Sequence, residues 1–167
     1  FFTLDELTAI TEIKLEDPNM AFARDLFIFG CWTGISFIDI KNLTEDNICI
    51  VNGAPWIVSK RQKTGVPFQI KLMDIPIQII ERYKSFRKDC HLFHIGDHGT
   101  INKHIKRVAA MCGIKKQVSF HVSRHSWAVL ALEYGMPIES VSKILGHTNI
   151  TTTPKQPPHI NAIIIMT

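Results

Sequence analysis

The densest apolar run in this chain lies between residues 20 and 32. Phe22, Leu26, Phe27 and Phe29 recur there almost continuously, which predicts a buried helix stopped by Thr33-Gly34. Residues 3 to about 14 read as an earlier helix, with Thr3 as cap and Glu6 three residues on. Asp17-Pro18-Asn19 between the two predicts a turn. A short helix is expected over about 37–42. Three β-rich pieces follow, Ile48-Cys49-Ile50-Val51, Trp56-Ile57-Val58 and Phe68-Gln69-Ile70. Asn52-Gly53 and Thr64-Gly65 separate them, so they predict a three-stranded antiparallel sheet. Residues 74–86 return to helix, with Ile75, Ile79 and Ile80 facing inward and Pro76 in the first turn. Further helices are expected over about 100–111, with Gly113 as stop, over 120–134 and over 138–145. No internal repeat or low-complexity tract interrupts the series. The fold class is mainly α with a small three-stranded antiparallel β-sheet.

Composition narrows the class. The chain has 167 residues, enough for one domain with a proper core, and 46% are hydrophobic, so it is globular rather than disordered. A formal charge of +4 and a pI near 8.9 suit a polyanionic partner. Cys31, Cys49, Cys90 and Cys112 show no C-x-x-C pairing and read as reduced thiols of a cytoplasmic protein. No signal peptide and no membrane-spanning run is present; Ile163-Ile164-Ile165-Met166 is too short. From the cap at Thr3, the start of the chain is expected to lie at a domain boundary.

The chemistry-bearing text is His121-Val122-Ser123-Arg124-His125-Ser126-Trp127, followed by Leu145-Gly146-His147-Thr148-Asn149-Ile150. On a helix His121 and Arg124 share a face, which points them into one cleft. An arginine forks onto two phosphate oxygens, and a histidine gives a hydrogen bond or a proton to a third. A lone His-x-x-Arg is usually a solvated helix face; here the string is longer. His-x-x-Arg-His-Ser-aromatic-Ala, then Gly-x-Pro-Ile-x-x-Val-Ser, then Leu-Gly-His-Thr resembles the catalytic domain of tyrosine recombinases, the DNA integrases of phages and conjugative elements. The resemblance runs from Leu4 to about Thr153, leaving 154–167 as an atypical tail, and the amino-terminal DNA-gripping domain usual in that family is expected to be absent.

The resemblance implies site-specific cutting and rejoining of double-stranded DNA through a 3′-phosphotyrosine, by recombinase protomers working as a tetramer, with no cofactor and no metal. It assigns His121, Arg124 and His147 to the non-bridging phosphate oxygens, where positioned donors stabilise developing charge. Lys63, in the basic turn Lys60-Arg61-Gln62-Lys63-Thr64-Gly65, would protonate the departing 5′-oxygen. Its plain alternative is a solvated hairpin tip; that of His147 is a helix cap. Lys60, Arg61, Lys103, Lys106 and Arg107 are the expected DNA-backbone contacts, His125 is expected to pack behind the site, and Trp127 belongs to the core.

Two departures from the family pattern bear on activity. Ser36 stands where the family carries its first arginine, and a serine cannot replace a bidentate guanidinium. Asp39 keeps the acidic position that supports the site from behind. The nucleophilic tyrosine is expected about nine residues after His147, where the chain has Gln156. Pro154, Pro157 and Pro158 there would break the helix that presents it. Tyr83 and Tyr134 are the only tyrosines, the former on a distant helix, the latter about three turns from Arg124. The tail is then the altered end of a once-active integrase, or misrecorded sequence, or the mark of a catalytically inactive DNA-binding module; a partner supplying the tyrosine is a further route. A metal site from Cys90, His91, His94 and His98 is the weakest reading, because the spacing is loose.

Overall fold

The computed structural model describes residues 1–146. The expectations at His147 and Gln156, and on the tail, fall outside the described residues.

The first helix, α1 (Leu4–Glu12), starts on the expected capping box. Thr3 Oγ accepts from Glu6 N, and the Glu6 carboxylate accepts from Thr3 N. Asp17-Pro18-Asn19 is not a free turn but the start of α2 (Pro18–Thr33). Asp17 accepts from Asn19 N at 2.8 Å, and Pro18 takes the first helical position, where its missing N–H has no partner to lose. Asp and Pro signal a turn and a helix start alike, so only the apolar run that follows tells them apart. Gly34 ends α2 in the left-handed region at φ 66°. Ser36 then caps α3 (Phe37–Asn42).

The sheet is β1 (Ile48–Val51), β2 (Ala54–Lys60) and β3 (Pro67–Lys71), antiparallel in the order β1-β2-β3. Asn52 and Gly53 both take positive φ, as a two-residue hairpin turn requires. Ile57 pairs with Ile48 on one side and Ile70 on the other, which puts Ile57, Phe68 and Ile70 on the buried face. The helical half resumes with α4 (Asp74–Tyr83) and a 3₁₀ turn over Lys84–Phe86. It continues with α5 (His98–Met111), α6 (Phe120–Glu133) and α7 (Ile138–Leu145).

Helix α2 is the hub and packs against α1, α4, α5 and α6. Its approach to α6 depends on two glycines. A Cβ on Gly30 would lie 2.5 Å from Ser123 Oγ, and one on Gly34 would lie 2.5 Å from the Trp127 ring. Phe2, Phe27 and Phe120 stack edge-to-face through this interface, at 5.3 and 6.3 Å between centroids. Helix α7 packs on both α6 and β3. The carboxyl end of α7 also meets the β2–β3 loop, where Arg61 donates to the Ile144 carbonyl.

Candidate active site

Three elements converge on one buried carboxylate. Ser36 closes the first turn of α3 by donating its hydroxyl to Asp39 at 2.6 Å. Gln62 N donates to the other oxygen of Asp39 at 2.8 Å, and Arg61 Nη1 donates at 3.1 Å, so the β2–β3 loop is seated on α3. Asp39 thus does more than cap its own helix.

Arg61 corrects an expectation. The sequence places it among the DNA-backbone contacts, yet it is only 4% exposed. Its guanidinium lies 4.1 Å from the centre of the Phe68 ring, bonds to Asp39, and donates through Nη2 to the Ile144 carbonyl at the end of α7. Nε is buried and finds no partner among the described residues. Burial pulls its pKa down, and the bond and charge of Asp39 oppose that pull.

Arg124 projects from α6 toward the same place. Nη1 donates to the Gly34 carbonyl at 2.9 Å, and Nη2 to the Leu145 carbonyl. Burial first, and then the charge of Arg61, lower its pKa to about 10; Asp39 acts the other way. It stays protonated at neutral pH, in surroundings that do not favour its charge. Arg124 and the exposed His121 line one cleft of about 550 Å³, together with Ser36, Phe37, Lys41 and His98. His125 does not pack behind the site. It is exposed, one helical turn from His121, with the two rings edge-to-face at 4.6 Å. Trp127 is core, as expected.

Lys60 and Lys63 are exposed on the β2–β3 hairpin, and Lys103, Lys106 and Arg107 are exposed on α5. Sequence reasoning missed Lys41, which lines the cleft, and missed that Arg61 turns inward. No pattern in the sequence marks either: the inward turn of Arg61 is set by Asp39, which lies far from it along the chain.

The sequence model of the phage integrase family matches residues 1–161. A tyrosine recombinase of Pseudothermotoga lettingae is 39% identical over 151 residues, covering 84% of this chain and 51% of that protein. The chain belongs to the phage integrase family. The tyrosine recombinase XerC of Neisseria meningitidis serogroup B is 26% identical over 146 residues, covering 82% of the chain and 48% of the relative. The fold is that of tyrosine recombinase catalytic domains. The XerH site-specific recombinase, solved bound to a palindromic difH substrate after cleavage, superposes with a TM-score of 0.74 at 20% identity. That match covers 90% of this chain and 47% of XerH. This chain therefore spans about half the length of the relatives it matches.

Within this integrase-family domain, neither described tyrosine sits as a nucleophile. Tyr83 donates to Asp25 at 2.6 Å, and burial together with that carboxylate pushes its pKa up. Tyr134 ends α6, half-buried against the core. The suggested metal cluster also comes apart. His98 stacks on Phe37 at 4.3 Å on the rim of the cleft, while Asp89, Cys90 and His91 gather elsewhere. There Asp89 already accepts from His91 N and faces its ring Nδ1 at 2.8 Å.

Proposed function

We propose that this chain forms the catalytic pocket of a site-specific DNA recombinase, with residues 1–153 as the catalytic domain and 154–167 as the atypical tail. The observation that carries the reading is a helix-borne Arg124 and His121 in one cleft, beside a second buried guanidinium held on Asp39. Cations placed in advance stabilise the charge that builds on a phosphodiester during in-line attack. A deprotonated tyrosine oxygen attacks phosphorus, the bond to the 5′-oxygen breaks, that oxygen takes a proton from Lys63, and a 3′-phosphotyrosine remains. The 5′-hydroxyl of a partner strand reverses the step. The phosphate bond energy is kept throughout, so neither ATP nor a metal is required. His147 adds a further donor to the phosphate. Lys60, Lys103, Lys106 and Arg107 hold the DNA backbone outside the pocket. The working assembly is a tetramer of protomers on double-stranded DNA, in the cytoplasm.

Gln156 at the expected tyrosine position favours a second reading, an inactive DNA-binding module derived from an integrase. One experiment separates the two. The chain is mixed with a pool of duplex DNA, and hydrogen peroxide is added as an external nucleophile in place of the tyrosine. The recombinase pocket predicts nicks with 5′-hydroxyl ends, lost in Arg124→Ala. Salt-sensitive binding with no nicking under any condition assigns the binding module. No binding at low salt rules out both.

A further inference from the structure

The cleft beside Arg124 is roomier than a phosphate needs. At about 550 Å³ it falls within the ~300–1,000 Å³ of pockets that take whole small molecules. Arg124 and His121 stand on one side of it, on α6, and another part of its lining is aromatic. We propose that this aromatic part, Phe37 and His98, is a stacking platform for a nucleobase. The cleft then takes a whole nucleotide, with the phosphate at Arg124 and His121 and the base on the His98 ring. This deepens the recombinase reading above and rests on it.

The platform is the surface end of a ladder of rings. Phe120, fully buried at the start of α6, meets Phe37 edge-to-face at 5.2 Å. Phe37 in turn lies against the His98 ring at 4.3 Å, with 40° between the planes. Phe37 is half-buried and His98 exposed, so the ladder runs out of the core and stops at an imidazole. That imidazole is held in advance. Asn102, one turn along α5, presents its amide nitrogen to His98 Nε2 at 3.3 Å, and its own orientation is set because its oxygen accepts from Phe120 N at 2.7 Å. A ring fixed by a stack on one face and a hydrogen bond at its edge loses little freedom when a second ring lands on its other face. Ile38, 45% exposed, adds an apolar side chain to the cleft lining, where a sugar-phosphate backbone alone would call for charge.

Charge is distributed for the same occupant. The charges that act on Arg124 among the described residues are those of Arg61 and Asp39. Asp97, next to His98 in the cleft lining, is not one of them, so the aromatic end stands apart from the guanidinium. Ser36 brings only a hydroxyl to the cleft and spends it on Asp39 at 2.6 Å. A base has two flat faces and no net charge, which suits the rings, while its phosphate suits Arg124. The base reaches the rings by leaving its stack in the strand, as nucleotides do in enzymes that act on an extruded base.

A plain packing tie between α3 and α5 is the competing account, and anions with and without a base distinguish the two. Inorganic vanadate, deoxyribose 5-phosphate and deoxyadenosine 5′-monophosphate are titrated calorimetrically into the wild-type chain, His98→Ala, His98→Phe and Arg124→Gln. Thermal melts and circular dichroism report folding. In wild type the nucleotide should bind at least about fivefold tighter than the sugar phosphate, the low end of what one base–aromatic stack contributes. His98→Ala should lose that gain and keep its affinity for vanadate. His98→Phe, a ring without the imidazole nitrogens, should restore it. Arg124→Gln should lose vanadate and nucleotide alike. If wild type binds nucleotide and sugar phosphate equally, or His98→Ala folds and keeps the gain, the rings are only packing and the recombinase pocket stands. If His98→Phe restores nothing, the imidazole acts through its nitrogens and the stacking inference falls. If Arg124→Gln binds the nucleotide as wild type does, the base sits outside this cleft and the inference falls. If wild type binds none of the three, the pocket reading and this inference fall together.

Discussion

Asp25 on α2 and Asp39 on α3 are both buried carboxylates, and each keeps company with two arginines. Their surroundings have little else in common. Asp25 takes Arg24 Nε on one oxygen, and Arg82 Nη1 and Tyr83 Oη on the other, all at 2.6–2.7 Å. Arg24 spends further donors on the Thr11 and Ile13 carbonyls at the end of α1, and the Arg82 side chain is 51% exposed. The bond to Asp25 raises the pKa of Arg82. Around Asp39 the shift has the opposite sign: both Arg61 and Arg124 are lowered, with burial as the leading cause. One aspartate and two arginines therefore make a saturated brace in one place and a cradle with an unpartnered buried N–H, among the described residues, in the other. What separates them is solvent, spare donors and an adjoining cleft, rather than residue type.

The contrast breaks most visibly at the brace. Asp25→Ala leaves buried donors without an acceptor and should cost about 3–5 kcal/mol in urea unfolding. Its affinity for vanadate should stay at the wild-type level; a loss there would erase the distinction between brace and cradle. Gly34→Ala comes next. It drives a methyl into the Trp127 ring from a left-handed backbone and should cost about 3 kcal/mol. Unlike Asp25→Ala it should also weaken vanadate binding, because the Gly34 carbonyl holds Arg124. Arg124→Gln sharpens the comparison from the other side. It gives up two bonds to carbonyls but removes a poorly hydrated charge, so unfolding should shift by no more than about 1 kcal/mol while vanadate binding disappears.

The smallest effect is at the rim of the cleft. Asp97 caps α5, and its carboxylate is held below the usual range, chiefly by the Thr100 amide and then by the Thr100 hydroxyl. A depressed acid contributes stability that is whole above its unfolded value, about 3.9, and fades as pH falls through its lower folded value. The difference in thermal midpoint between wild type and Asp97→Asn should be constant above about pH 5 and shrink toward pH 2. A difference that grows on acidification would contradict the assignment.

Most of the fold was legible in the sequence because its signals are local. The capping box at Thr3, the Gly34 stop, the Asn52-Gly53 hairpin and the isoleucines of α4 each act within a few residues. The error at Asp17-Pro18-Asn19 arose where one local signal serves two structures. The His121/Arg124 half of the site was legible for the same reason, since a helical spacing of three settles it. The Arg61 half was not. Its direction depends on Asp39 from α3, the Phe68 ring from β3 and a carbonyl from α7, and no spacing rule links those four positions. His125 misled in a simpler way: a histidine beside a core tryptophan reads as buried, yet the helix turns it outward.

The grip of Arg61 and Arg124 on the last two carbonyls of α7 carries a further consequence. Those carbonyls are the negative pole of the helix, and they compete with any arriving oxyanion for the same N–H groups. An occupied cradle and a clamped α7 therefore draw on one shared supply of donors. The far end of α7 becomes a built-in gauge of occupancy: amide exchange near Leu145 and Gly146 should quicken as vanadate fills the cleft, while α4, anchored on Asp25, keeps its pace.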